Sequence, residues 1–256
     1  MDPDVKWDPF ASLGSVAPMA RKKSSESVDD YLKAILQLAG AAESPVTTKA
    51  LADRLEVRAP SVTGMLQKLA SQQPPLILYT KRRGVALTPA GKRRAWELVR
   101  HHRLIELFLH DILKYSWDEV HEEAERLEHF ISERFEDKVA AVLGYPEIDP
   151  HGHRIPQKLE AGAYREEAAL SEWPVEIPAV IASVSDKSAA ALREFERLGL
   201  LPGTGLTVER RHATAGVTVR LDSDGSALRL RKSLASQILV TEPVRAKHAE
   251  SRATGT

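Results

Sequence analysis

Apolar residues recur at helical spacing through the first half of the chain and at strand spacing through its last third. Val28, Tyr31, Leu32, Ile35, Leu36 and Ala39 mark one face of a first helix, and Ser27 with Asp30 predicts a capping box at its start. "VTTKALADRLEV" predicts a second helix, capped by Thr47 or Thr48, with Leu51, Ala52 and Leu55 inward. After a short turn, "PSVTGMLQKLA" predicts a third, with Pro60 suited to its first turn and Val62, Leu66 and Leu69 inward. "LILYTKRRGVALT" then sets two β-prone runs around a basic, glycine-containing turn, a hairpin pattern. Thr88 and Pro89 cap a long helix to about Leu113, Ser116 and Glu119 form the box that opens the next, and Gly144 and Pro146 close the helical region.

Residues 1–24 lack sustained periodicity and read as a flexible arm. Residues 146–175 are proline-rich and weakly periodic, the composition of a linker. From Glu176 to about Glu242, β-prone runs surround one helix, Ser188 to Leu198, which describes a small barrel-like β domain. The expected fold class is mainly α with a C-terminal all-β domain.

Composition narrows the chemistry. At 256 residues with 43% apolar content the chain can hold two compact domains. It contains no cysteine, so imidazole and oxygen are its plausible metal ligands. No apolar run approaches the roughly 18 residues of a membrane span, and no apolar core of a secretory signal is seen, so a soluble, cytoplasmic protein is expected. No Gly-rich phosphate loop, Ser elbow or His-Glu-x-x-His zincin motif occurs, and no enzyme activity or small-molecule substrate is expected.

The net charge of zero conceals a separation. From Arg54 to Arg94 there are nine basic residues against Glu56 alone; from Ser116 to Asp137 nine acids face only Arg126 and Arg134. The first segment wants anions and the second cations. Helix, helix, short turn, helix and basic hairpin is the order of a winged helix-turn-helix, whose third helix enters the major groove while the wing follows phosphates. Arg58, Pro60, Ser61, Thr63, Gly64 and Lys68 belong to the outward side of that third helix, and Lys81, Arg82 and Arg83 to the wing. Ser61 and Thr63 suit base edges or phosphates; the cations suit phosphate. A solvated basic surface is the plainer reading of any isolated Lys/Arg run, but here the charges fall where a winged module uses them.

In "HEEAERLEHF", residues 121–130, helical spacing puts His121, Glu125, Glu128 and His129 within an arc of roughly 100°. Ala124, Leu127 and Ile131 occupy the adjacent arc and bury the helix, so the carboxylates lie at the edge of a core. There they repel one another unless a cation joins them, which a divalent metal would do. An ordinary solvated acidic helix has the same composition, and the helix alone leaves both readings open.

"SVDDYLKAI", "APSVTGMLQKLA", "VALTPAGK", "RHHRLIELFL" and "VHEEAERLEH" follow one another in an order that resembles the diphtheria-toxin-repressor family, which includes iron- and manganese-responsive repressors. The resemblance covers about residues 25–160, and "REFERLGLLPGTGLTV" is similar to that family's C-terminal SH3-like domain. It implies a flexible arm (1–24), a winged helix-turn-helix (25–95), a helical dimerisation and metal-binding domain (96–160), a linker (161–175), an SH3-like, FeoA-like domain (176–245) and a flexible tail (246–256). It further implies a homodimer on palindromic double-stranded DNA in the presence of Mn(II) or Fe(II). Carried over by position, the main metal site takes Asp30, Glu125, Glu128 and His129, an ancillary site takes His102, Glu106 and His121, and Asp186 is a further candidate from the SH3-like domain.

Two departures qualify this. Lys33 stands where manganese-responsive members carry a glutamate of a binuclear site, so that site is not expected to form in the same way. Glu125 and Asp30 stand where iron-responsive members use sulfur ligands, and an oxygen-and-imidazole set favours Mn(II), with Fe(II) or Co(II) able to compete. Two competing readings remain: a metal-independent winged-helix regulator, and a metal-handling or partner-binding protein that does not touch DNA.

Overall fold

A computed structural model describes residues 23–158, 167–213 and 215–243. Helix α1 (Lys23–Ala39) buries Val28, Tyr31, Leu32, Ile35 and Leu36, the stripe its spacing predicts. Because α1 begins at Lys23, Ser27 lies inside the helix and the expected capping box with Asp30 does not form; Asp30 sits too deep for a first-turn charge effect. Residues 23 and 24 therefore belong to the helix, and the rest of the expected arm lies outside the described residues, as does the expected tail.

In α2 (Thr48–Leu55) the Thr47 side chain accepts from the Ala50 N–H, satisfying one of the donors a helix start leaves open. Helix α3 (Ala59–Ala70) carries Pro60 in its first turn and buries Val62, Leu66 and Leu69 completely. Strands β1 (Ile77–Thr80) and β2 (Gly84–Leu87) pair antiparallel, with Ile77 opposite Leu87. Arg82 at φ 71° and Gly84 at φ 102° turn the chain between them, and a Cβ at position 84 would meet the Val46 carbonyl at 2.8 Å. One core joins these elements to the next helix through Leu32, Ile35, Leu51, Leu66, Ile77, Val85 and Trp96. Each such aliphatic side chain contributes about 1.5–3 kcal/mol by burial.

Helix α4 (Pro89–Asp111) is the rod of the structure. Thr88 accepts from the Gly91 N–H and donates to the Pro75 carbonyl. A Cβ at Gly91 would meet the Leu76 carbonyl at 2.0 Å, so only glycine lets α4 lie directly on the wing. Farther along, Leu104, Ile105 and Leu109 leave the first core for two smaller ones, with α5 (Val120–Leu127) and α6 (Glu133–Val142). The predicted single acidic helix is corrected here. Ser116 and Glu119 do hydrogen bond, but across a turn, and α5 opens at Val120. It ends at Leu127, so His129 lies in the turn that follows, before Ser132 caps α6. That break turns Leu127 outward, 38% exposed, while Ala124 stays buried.

The last third forms a six-stranded antiparallel sheet in the order β3-β8-β4-β5-β6-β7: β3 (Ala168–Ala169), β4 (Pro178–Val184), β5 (Gly205–His212), β6 (Gly216–Leu221), β7 (Ala227–Leu230) and β8 (Ile238–Thr241). Helix α7 (Ala189–Arg197) closes one side with Leu192 and Phe195, and the short α8 (Lys232–Ala235) adds Leu234. The reading of residues 146–175 as a linker fails at both ends. Residues 168 and 169 are β3, and Leu170 is fully buried in the sheet core. Residues 147–155 fill the seam between helices and sheet. The Trp117 indole donates to the Pro150 carbonyl at 2.9 Å, His151 Nε2 donates to the Trp117 carbonyl at 3.0 Å, and the Val184 N–H donates to the His151 carbonyl at 3.0 Å. Among the described residues no helix is long and apolar enough to cross a membrane.

Candidate metal centre and nucleic-acid interface

Side chains from α4, α5, the seam and the sheet converge on Glu106. This carboxylate is fully buried; its Oε1 lies 2.9 Å from His102 Nε2, 3.1 Å from His121 Nδ1 and 3.7 Å from His151 Nδ1. His102 and Glu106 meet because four residues separate them on α4. Asp186, just past β4, brings Oδ2 to 3.6 Å from His121 Nδ1. Donor atoms of His102, Glu106, His121 and Asp186 all lie within 4.8 Å of one another. Ligands about 2.0–2.2 Å from one ion stand roughly 3.0–3.6 Å apart, so this spacing suits a shared cation. Glu106 Oε2 and His151 Nδ1 are buried without a hydrogen-bond partner, the state of groups whose partner is an ion. These residues fit a divalent metal.

Electrostatics agree with that fit. Burial penalises the His102 cation, but Glu106 beside it and hydrogen bonds to Glu106 and Glu128 raise its pKa to about 10. Burial likewise opposes charge on Glu106, yet the His102 charge and hydrogen bonds from the surrounding imidazoles hold it well below the usual carboxylate range. His151 is desolvated too, and Glu106 nonetheless lifts it to about 9. A buried anion here gathers positive charge, and a cation that displaces those protons has its ligands already aimed. Glu128 also accepts from His102 Nδ1 at 2.6 Å. That bond fixes the ring so that Nε2 faces Glu106, the way an outer carboxylate orients a ligating histidine.

The four residues expected at the main site are neighbours without sharing one point. Asp30 Oδ1 lies 3.2 Å from His129 Nε2, which lies 3.5 Å from Glu128 Oε1. Glu125 reaches Glu128 through Lys33, whose ammonium is 2.8 Å from Glu125 Oε1 and 2.7 Å from Glu128 Oε2. Burial alone would depress the Lys33 pKa, but the charges of Glu128 and Glu125 outweigh it and raise it above the ordinary lysine value. The sequence reading missed this role of Lys33. It also missed Asp149, His151 and His153, whose donor atoms form another close group; "DPHGH" was a visible signal, hidden in a stretch read as linker. Asp149 there mainly shapes the loop, accepting from the His151 and His153 N–H groups at 2.9 Å each.

Arg58, just before α3, and Pro60, Ser61, Gly64 and Lys68 on it are exposed, and Lys81, Arg82 and Arg83 are exposed at the wing tip. Nothing lies within 4 Å of a Cβ built on Gly64, so another chain can approach its backbone closely. Thr63 is half-buried, and its hydroxyl donates to the Ala59 carbonyl at 3.1 Å, which leaves its oxygen lone pairs as acceptors.

Three family models match in succession: "Iron dependent repressor, N-terminal DNA binding domain" over residues 23–85, "Iron dependent repressor, metal binding and dimerisation domain" over 88–157, and "FeoA domain" over 168–242. The iron-dependent repressor IdeR of Mycobacterium leprae is 30% identical over 196 residues, 72% of this chain and 84% of that protein. The chain belongs to the iron-dependent repressor family. The diphtheria toxin repressor of Corynebacterium diphtheriae, another member, is 30% identical over 57% of this chain and 63% of its own length. Among solved structures of the family, a manganese-dependent transcriptional repressor in complex with manganese superposes with a TM-score of 0.78 at 36% identity, covering 84% of this chain and all of that one. The manganese regulator SloR gives 0.69 at 34% identity, covering 84% and 98%. The helical winged unit, the helical unit with α4 to α6 and the SH3-like sheet unit are the architecture of this family.

Proposed function

We propose that the chain is a metal-dependent, DNA-binding transcriptional regulator of metal homeostasis genes, acting as a homodimer on a palindromic operator. The convergence of His102, Glu106 and His121 with Asp186, just past β4, carries this reading. Relatives named as iron- and manganese-dependent repressors support it. The chain divides for this purpose into a DNA-binding unit (23–95), a dimerisation and metal-binding unit (96–158) and an SH3-like unit that begins at β3 (168–242). Mn(II) is the favoured ion and Fe(II) or Co(II) can compete, since every side chain assigned is oxygen or imidazole.

Two sites are assigned. Asp30, Glu125, Glu128 and His129 make the main one, bridging α1 to the end of α5; His102, Glu106, His121 and Asp186 make the ancillary one, with His151 added because its buried Nδ1 lies 3.7 Å from Glu106 Oε1. Bound there, the ion supplies positive charge and directional bonds. Asp30 and Glu128 then tie the winged unit to the dimerising unit, which sets the two recognition helices of a dimer at the spacing of successive major grooves, about 34–36 Å. Ser61 and the open backbone at Gly64 face base edges; Arg58, Pro60 and Lys68 line the approach; Lys81, Arg82 and Arg83 neutralise phosphate. A preference for the DNA-competent arrangement of about 1–3 kcal/mol changes DNA affinity some 5- to 150-fold.

One titration of operator DNA with and without Mn(II) tests it. Metal-dependent binding is expected, and Asp30→Ala and Glu128→Ala should each lose that dependence while keeping the fold by circular dichroism. Equal binding by exhaustively chelated protein would identify a metal-blind regulator, and absence of DNA binding in either state a metal-handling protein.

A further inference from the structure

Lys33 occupies the middle of the main site. Its Nζ lies 2.8 Å from Glu125 Oε1, 2.9 and 2.7 Å from the two oxygens of Glu128, and 3.4 Å from His102 Nδ1. An ion coordinated by Glu125 Oε1 and Glu128 Oε2 at about 2.2 Å would take the same two oxygens that the ammonium now holds. The ammonium is no loose surface charge: Lys33 is buried, and it projects from α1, the helix that also carries Asp30. It already makes the link between α1 and α5 that the main site is assigned to make. Beside it opens a cavity of about 270 Å³, lined among others by Asp30, Gln37, His121 and Glu125. Lys33 itself lines that cavity, together with the cations Arg54 and Lys187 and the acids Asp30 and Glu125, so a displaced ammonium has a polar space beside it.

We propose that Lys33 is a tethered competitor for the main site, holding Glu125 and Glu128 until an incoming divalent ion expels its ammonium into the adjoining cavity. This rests on the reading of Asp30, Glu125, Glu128 and His129 as metal ligands. Among the described residues His102 is the ancillary side chain that meets Lys33, through Nδ1 at 3.4 Å, while the nitrogen it offers to Glu106 is Nε2, so the competition falls mainly on the main site. The two sites therefore load in order: the Glu106 cluster at lower free-ion concentration, the main site at higher. Lys33 sets the upper threshold, and with it the metal level at which α1 is fixed for DNA.

The test compares the full chain with Lys33→Met, Lys33→Gln and Lys33→Arg, each with and without Asp30→Ala. Mn(II) binding is followed by calorimetry and by the electron paramagnetic resonance signal of the free ion. The Asp30-sensitive event is expected to tighten at least about tenfold in Lys33→Met and Lys33→Gln and to stay at the wild-type value in Lys33→Arg, with the Asp30-insensitive event changing less than the Asp30-sensitive one. Metal-free Lys33→Met should melt lower than wild type and recover on adding Mn(II), because its carboxylates have lost their counter-charge. An Asp30-sensitive event that appears only in the neutral variants overturns the expulsion and leaves Lys33 as a permanent occupant of the main site. The same constant in wild type and both neutral variants overturns it while leaving the main site standing. No Asp30-sensitive ion in any of the proteins overturns both.

Discussion

Asp186 is the carboxylate through which the SH3-like unit reaches the ancillary cluster, with Oδ2 3.6 Å from His121 Nδ1 and 3.9 Å from His153 Nδ1. Asp186→Asn keeps its shape and removes its charge. An ion present at 100 times its Kd stabilises the native state by about 2.7 kcal/mol. Losing a partner one step removed from a metal weakens binding about 10- to 100-fold, and a direct charged ligand belongs at the upper end. After a 100-fold loss the same free ion stands at its new Kd and contributes only about 0.4 kcal/mol. The variant should thus lose about 2.3 kcal/mol of metal-induced stability, roughly 5–9 °C in Tm for a chain of this size. Thermal melts of both proteins with and without Mn(II), at one buffered free-ion concentration, measure it. Any effect of asparagine on the metal-free fold cancels in the difference. An equal Mn(II)-induced rise in both proteins would refute Asp186 as a ligand and the sheet as part of the sensor.

Two further predictions concern the wing and the helical core. Lys81→Ala and Arg82→Ala should each weaken binding to specific and random DNA alike and lower the slope of log K against log salt by about one; a loss confined to one sequence would instead give these residues a base-reading role. Glu136 is almost wholly buried between Arg100 at 2.5 Å and His101 at 3.1 Å. Burial would raise its pKa, but those partners lower it from 4.5 to about 2. Its ionised form therefore stabilises the fold fully above about pH 4.5, and that contribution disappears as pH falls toward 2. Glu136→Gln should destabilise by about 3 kcal/mol at pH 7 in urea unfolding, with the gap to wild type narrowing below pH 4.5; a gap independent of pH would contradict the assignment.

The sequence made most of the winged unit legible because its apolar stripes are regular: Val62, Leu66 and Leu69 on α3 needed only their spacing, and all three are fully buried. The acidic segment was less transparent. Its spacing put His129 on the same helix as Glu125, but the chain breaks at Glu128 to reach Ser132, and a bend of that kind leaves no periodic trace. Lys33 has the sequence signature of a solvated residue; only the fold closes Glu125 and Glu128, more than 90 positions away, around its ammonium. The seam was unreadable for a related reason, since proline and glycine mark an irregular path whether that path is loose or packed. At Gly152 a Cβ would meet the Ala182 carbonyl at 2.2 Å, a closeness that composition does not record.

Helix α4 makes the wing and the His102–Glu106 pair parts of one axle. Gly91 presses the wing and His102 faces Glu106, about 16 Å farther along the same unbroken helix. A tilt of about 5° at one end displaces the other by about 1.4 Å over that length. Transmission between the two needs no melting and refolding of an intervening segment. A change of angle smaller than the usual width of a side-chain rotamer well is enough to shift the wing against the phosphates.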